Sequence, residues 1–356
     1  MTFYFDYQAT TPLAPEAREA MLPWLSDEGF ANPHSAHRMG RAAKAAVEVA
    51  REQVAQLFPS GGRVVFTGSA TEALNLAIQG SRARHVAVSA IEHAAVLDTA
   101  RAVAQVHELP VDRAGLVDPE CVIPVGTGLV AVMQVNNEIG TIQPVEALAV
   151  RARAAGALFL SDAVQGAGKL PAPEGADLIA ASAHKLHGPK GIGALWVRDG
   201  VELKPLIHGG GQEGGLRSGT LSPALCAGFG AAAAQELERQ DENRAWLSKL
   251  WDLAREMMPN WTLNGSAESR WQGNLSLRQD GLDVARLMSE CRDIAFSAGS
   301  ACASGSGRPS HVLRALGLSD LEAKSTIRLG FGRYTTRTEV ELGCRWIDSA
   351  ARAQGA

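Results

Sequence analysis

The stretch Asp177-Leu178-Ile179-Ala180-Ala181-Ser182-Ala183-His184-Lys185-Leu186-His187-Gly188-Pro189-Lys190-Gly191 sets a lysine directly behind a short apolar run and ahead of glycine and proline. A run such as 177–181 (DLIAA), closed by turn residues, reads as a strand covered on both faces. Lys185 then falls at its carboxyl end. The runs 63–67 (RVVFT), 85–89 (HVAVS), 129–135 (LVAVMQV), 157–161 (ALFLS) and 192–197 (IGALWV) have the same texture. Helical stretches at 71–79, 94–106 and 145–155 follow several of them. Before them, Met39, Ala43, Ala46, Val47, Ala50, Val54, Leu57 and Phe58 line one face of an amphipathic helix over 35–58. This alternation predicts an α/β fold, a mostly parallel sheet flanked by helices.

The texture changes after about residue 210. A Gly-rich segment at 208–219 (HGGGQEGGLRSG) leads into an Ala- and Glu-rich helix near 223–240. Strand-like 274–277, 294–297 and 325–330 then alternate with helical 282–291 and 310–316. The expected division is a large α/β domain over 13–250 and a smaller α+β domain made of 1–12 and 251–356.

The 356 residues, 46% hydrophobic and 20% charged, belong to a folded chain with a sizeable core. A net charge of −4 excludes a chain-wide basic footprint for nucleic acid. No uninterrupted apolar run is long enough to span a bilayer. The start, MTFYFDYQATTPLAP, has neither a basic nor an apolar leader segment, so a cytoplasmic location is expected. Cys121, Cys226, Cys291, Cys302 and Cys344 form no C-x-x-C pair, which argues against a disulfide framework and a structural metal site.

Ligands of α/β sheets bind at the carboxyl ends of strands, so the residues just past each run matter most. These are Gly68-Ser69-Ala70-Thr71-Glu72, then Glu92-His93, Asn136-Asn137-Glu138, Asp162 with Gln165, and Ser182-Ala183-His184-Lys185. Each alone has an ordinary explanation: a Ser/Thr helix cap, a structural histidine, turn amides, an Asp cap, a solvated lysine. Together, in this order, they supply what pyridoxal phosphate needs: phosphate donors, a ring-stacking group, a carboxylate for the pyridine nitrogen and an amine for a Schiff base. Downstream, Cys302 sits in SAGSACASGSGRPS (297–310), among small residues, where a thiol is expected to be accessible and mobile. The other four cysteines read as packing residues. Arg328 interrupts a strand pattern and needs an anion, either a structural carboxylate or that of a substrate.

These residues resemble the cysteine desulfurases, class V aminotransferase-like enzymes of the type I pyridoxal-phosphate fold. The resemblance runs from Asp6-Tyr7-Gln8-Ala9-Thr10-Thr11-Pro12 to about Arg337. It includes Asn32-Pro33-His34-Ser35, Thr71-Glu72, Glu92-His93, Asn136-Asn137-Glu138-Ile139-Gly140, Asp162-Ala163-Val164-Gln165, Ser182-Ala183-His184-Lys185, Arg217-Ser218-Gly219-Thr220 and Gly299-Ser300-Ala301-Cys302. It implies that Lys185 holds the cofactor covalently, that His93 stacks on the ring and moves protons, and that Asp162 pairs with the ring nitrogen. Gln165 would bond the ring hydroxyl. Ala70, Thr71, Ser182 and His184 would bind the phosphate, joined by Thr220 from the other subunit of a homodimer. Asn137 and Arg328 would grip the substrate carboxylate, and Cys302 would accept sulfur from L-cysteine. The resemblance also implies a sulfur-acceptor protein, an iron–sulfur scaffold or a thiolation enzyme, as partner. The short segment after Arg337 is expected to lack a docking extension. A selenocysteine lyase or cysteine-sulfinate desulfinase on the same scaffold, a kynureninase-like lyase, or a non-catalytic cofactor-binding regulator of sulfur transfer are the competing readings.

Overall fold

The structure, a computed structural model, describes residues 2–299 and 309–355. Its centre is a seven-stranded sheet in the order Gly62–Thr67, Gly193–Arg198, Leu178–Ser182, Leu158–Asp162, Leu129–Ala131, His85–Ser89, Gln105–Leu109. Gly193–Arg198 runs antiparallel to both neighbours, and the other pairings are parallel. The expected α/β sheet is therefore present with one reversed strand. Side chains alternate between the two faces of the sheet, which form the first core, with the period of a strand. Val64, Phe66, Ile179 and Trp196 face the helices Arg38–Ala55, Val145–Ala154 and Pro223–Glu238. Val65, Leu178 and Leu195 face Ala70–Ser81 and Ala94–Val103.

One strand differs from the sequence reading. Gln105–Leu109 had the pattern of a helix end, but the helix stops at Val103 and the chain pairs in parallel with His85–Ser89. At this sheet edge only Leu109 is buried, so no strand periodicity marks it.

A second core lies under an antiparallel sheet, Ser297–Ala298, Thr326–Gly330, Asn274–Arg278 and Thr262–Leu263. Leu275, Leu277, Ile327 and Leu329 pack there against Leu247, Leu250 and Leu253 of the helix Gln240–Met257 and Ile347 of Arg337–Ala353. The run at 294–297 is split: Ile294–Ala295 pairs with Phe3–Tyr4, and Ser297–Ala298 joins Thr326–Gly330. Phe5 is fully buried in this second core, and Asp6 bridges to Gly330. The chain then crosses to the large sheet, where Thr11 N–H donates to His184 O (3.0 Å) and Ala14 N–H to His187 O (2.9 Å). The N-terminal segment thus ties the smaller core to the turn that carries Lys185.

Candidate active site

The carboxyl ends of the parallel strands open on a cavity of about 320 Å³, which the smaller sheet closes through Arg328. Lys185 ends a single 3₁₀ turn, Ala183–Lys185, after Leu178–Ser182. The turn is tight enough that a Cβ on Gly188 would lie 2.8 Å from Ala183 Cβ. Lys185 Nζ donates to Gln8 O and, at 3.0 Å, to Ala9 O. Burial pushes its pKa down to about 8. Arg328 and Lys169 act in the same direction, and Asp162 and Asp6 oppose it.

Asp162 closes the strand Leu158–Asp162 and is 6% exposed. Burial raises its pKa, while His93, the Val164 N–H (2.9 Å) and Lys185 hold it down. A carboxylate so placed is stabilised by any cationic group that enters the cavity. Gln165 donates through Nε2 to Gln8 O at 3.0 Å. His93 caps the helix Ala94–Val103, its Nδ1 accepting the Ala95 N–H at 3.1 Å, so a neutral ring carries its proton on Nε2.

The helix Ala70–Ser81 points its N-terminus at the same cavity, with Ser69 Oγ capping Glu72 N–H at 3.2 Å. Uncommitted N–H groups and the positive end of the helix dipole favour an anion there. The approach of Gly193 makes this start possible: a Cβ at Gly193 would come within 2.5 Å of Ser69 C and 2.7 Å of Ala70 N. Glu72 accepts from Gly68 N–H and pairs with Arg217 at 2.7 Å, which fixes the loop before the helix. Ser182 and His184 line the same cavity. His184 Nδ1 lies 3.1 Å from Thr10 Oγ1. Burial, with Lys185, Lys190 and Lys169, lowers its pKa to about 4, so it serves as a neutral hydrogen-bonding group.

Arg328 is 1% exposed. It donates to Asn137 O at 3.0 Å and meets a structural carboxylate, Asp6 Oδ1, at 2.7 Å. Of the two anions the sequence left open, one is therefore present inside the chain. Ala70, Thr71, His93, Asn137, Asp162, Gln165, Ser182, His184, Lys185 and Arg328 all line this one cavity. Thr220 does not; it is exposed, beyond the Gly-rich segment. Cys302 lies outside the described residues. On either side of its segment, Gly299 N–H donates to Thr326 O at 2.9 Å, and Ser310, which caps His311–Ala315, donates to Glu138. Cys226, Cys291 and Cys344 are buried, with thiol pKa values pushed up by burial to about 12, 11 and 12. Cys121 is only partly buried, against the first core.

Four residues have no role that the sequence alone gives them. Gln8 and Ala9 act through backbone carbonyls, which no side-chain pattern reveals. Asp6 sits far from Arg328 in the chain. Glu92 is fully buried, accepts from Ser89 O–H and from Met133 N–H (2.7 Å), and its pKa is raised to about 8 by burial.

The model of the family described as Aminotransferase class-V matches residues 3–342. A protein of Rickettsia bellii named "Cysteine desulfurase IscS" is 41% identical over 98% of this chain and 91% of its own length. One of Drosophila melanogaster named "Cysteine desulfurase, mitochondrial" is 42% identical over 95% of this chain and 78% of its own. Among solved structures, a "NIFS-LIKE PROTEIN" superposes with a TM-score of 0.90 at 33% identity, covering 98% of this chain and 99% of that one. "SspA in complex with cysteine" gives 0.83 at 37% identity, covering 94% and 100%. With its strand-end residues gathered on one cavity and its match running almost end to end, the chain belongs to the class-V aminotransferase family.

Proposed function

We propose that this chain is a pyridoxal-phosphate-dependent cysteine desulfurase that converts L-cysteine to L-alanine and carries the sulfur on Cys302. The observation that carries this reading is the convergence of Lys185, Asp162 and the N-terminus of Ala70–Ser81 on one cavity. The donor set suits pyridoxal phosphate. The Ala70 and Thr71 end of the helix, Ser182 and His184 would hold the phosphate, and Asp162 would face the ring nitrogen. Gln165 would bond the ring hydroxyl, and His93 would stack on the ring. When bound, the cofactor supplies an aldehyde for the lysine amine and a ring that draws electrons from the substrate Cα.

Lys185, with a pKa near 8, is set to hold or release a proton at Nζ close to neutral pH. Asn137 and Arg328 would orient the substrate by its carboxylate. Cys302, as thiolate, would bond to the substrate sulfur as the substrate's carbon–sulfur bond breaks. The carbon fragment keeps that bond's electron pair and leaves as alanine after protonation. Thr220 would complete the phosphate site of the partner subunit in a homodimer, which agrees with its exposure off its own cavity. An iron–sulfur scaffold or a thiolation enzyme in the cytoplasm would take the sulfur. No helix among the described residues is long and apolar enough to cross a membrane. We also read 13–250 as one domain, and 1–12 with 251–356 as the other; the burial of Phe5 in the second core supports this, although that core also takes Leu247 and Leu250. The names of the curated relatives favour desulfuration over the lyase, desulfinase and regulator readings.

The test is alanine release from L-cysteine by the purified protein, with Cys302→Ser alongside. The variant is expected to keep the cofactor's visible absorbance and lose alanine formation. Undiminished turnover would place the sulfur acceptor elsewhere.

A further inference from the structure

Asp6 belongs to the N-terminal motif, yet the mechanism above gives it no task. Its Oδ1 accepts from Arg328 Nη2 at 2.7 Å and from Ser297 O–H at 2.9 Å. Arg328 Nη1 donates to Asn137 O at 3.0 Å, and Nη2 makes a longer contact, 3.3 Å, with Ser297 Oγ. Asp6 is itself held by the backbone bridge to Gly330 and by Tyr4 O–H on its carbonyl at 3.2 Å. A guanidinium has five N–H donors in one plane. Three are committed here. Among the described residues the buried Nε–H has no partner, and one Nη1–H remains. The arginine is thus gripped by protein on part of its donor set and left two donors short of satisfaction. Among the described residues its charge is balanced by one carboxylate, that of Asp6.

We infer that Asp6 is the positioning residue for substrate-carboxylate recognition: it fixes the plane in which Arg328 meets the carboxylate of the amino-acid substrate, and its charge tunes the site for a monoanionic carboxylate over a dianionic acid. The inference rests on the proposed function, in which Arg328 binds that carboxylate. The two parts of the role separate chemically. Alanine at position 6 removes both the clamp and the charge. Asparagine keeps an acceptor oxygen but removes the charge, so the site becomes more positive while Arg328 stays oriented.

The experiment uses the holoenzyme. Alanine formation is measured against L-cysteine concentration. Binding of L-alanine and of L-cysteate, a thiol-free analogue that carries a second anionic group, is followed by the cofactor's absorbance. Asp6→Ala is expected to raise KM about tenfold or more, with kcat within about twofold, as for a lost charge-assisted contact made equally in ground and transition states. Asp6→Asn is expected to bring KM back to within about threefold of wild type and to shift the L-cysteate to L-alanine affinity ratio about tenfold toward L-cysteate. An unchanged KM in Asp6→Ala, or equal damage to kcat and KM in both variants, overturns the positioning role. Arg328→Ala separates the two levels of the reasoning. If it leaves KM unchanged, the proposed function of Arg328 fails; if it raises KM while Asp6→Ala does not, only the role of Asp6 fails.

Discussion

In the cofactor-free protein, Lys185 should titrate near pH 8. Burial, helped by Arg328 and Lys169, takes its pKa from the ordinary 10.5 down to about 8. At roughly 1.4 kcal/mol per unit, that amounts to a penalty of about 3 kcal/mol on the ammonium form. At pH 7.5 about a quarter of the molecules would carry a free amine, against about one in a thousand for an ordinary lysine. The amine would then be poised to meet an aldehyde. The same shift sets a stability signature. Between pH 8 and 10.5 an unfolded chain still holds the proton that the folded one has lost, so stability rises with pH across this window by up to about 3 kcal/mol. Below pH 8 both states are protonated and the full penalty remains. The assay is acetylation of the apoprotein at short times across pH 6–11, reading the peptide that contains Lys185 by mass spectrometry. Urea unfolding of wild type and Lys185→Met accompanies it. A labelling midpoint near 10, or identical pH slopes for the two proteins between pH 8 and 10, would refute the reasoning.

Glu92, fully buried and with its pKa raised to about 8, keeps its proton near neutrality, whereas in the unfolded chain it loses it near 4.5. Its burial should therefore lower stability progressively from pH 4.5 to 8, and Glu92→Gln should flatten that slope in urea unfolding; parallel profiles would contradict this. Gly193→Ala puts a Cβ within 2.5 Å of Ser69 C and 2.7 Å of Ala70 N. The helix start should shift, and calorimetric titration should show pyridoxal phosphate binding at least about tenfold weaker; unchanged affinity would exclude this end of the helix from the phosphate site. Arg333 and Glu236 form an ion pair with both side chains 5% exposed. Arg333→Met alone should cost about 3–5 kcal/mol by leaving a buried carboxylate, and the added change Glu236→Leu should recover most of it; additive losses would show that the pair is not the cause.

The sequence made the large sheet legible because buried parallel strands are near-continuous apolar runs, as in 85–89 and 177–181. Their carboxyl ends then named nine of the ten candidate residues that the structure brings to one cavity, the tenth, Arg328, coming from the smaller sheet. Gln105–Leu109 was hidden because an edge strand with one buried position carries no period. The helices Gln240–Met257 and Arg337–Ala353 went unread although each buries one face in the second core. Their charged outer faces do not interrupt that pattern, so the signal was there to find. The reversal of Gly193–Arg198 leaves no trace in composition, since a strand buried on both faces looks the same in either direction. Within the site, what stayed hidden acts through the backbone or across the chain. The carbonyls of Gln8 and Ala9 hold Lys185, and Asp6 meets Arg328 over 322 positions of sequence. Arg328 itself announced that it needed an anion; folding alone decides which one it finds.

The most direct measurement is mass spectrometry of the unreduced protein after incubation with L-cysteine. One sulfur atom is expected to be added to the peptide that contains Cys302, with one alanine formed per sulfur held before any acceptor is supplied. Alanine formation with the sulfur on the partly exposed Cys121, or with no sulfur on any cysteine, would contradict the assignment of Cys302 as the sulfur carrier.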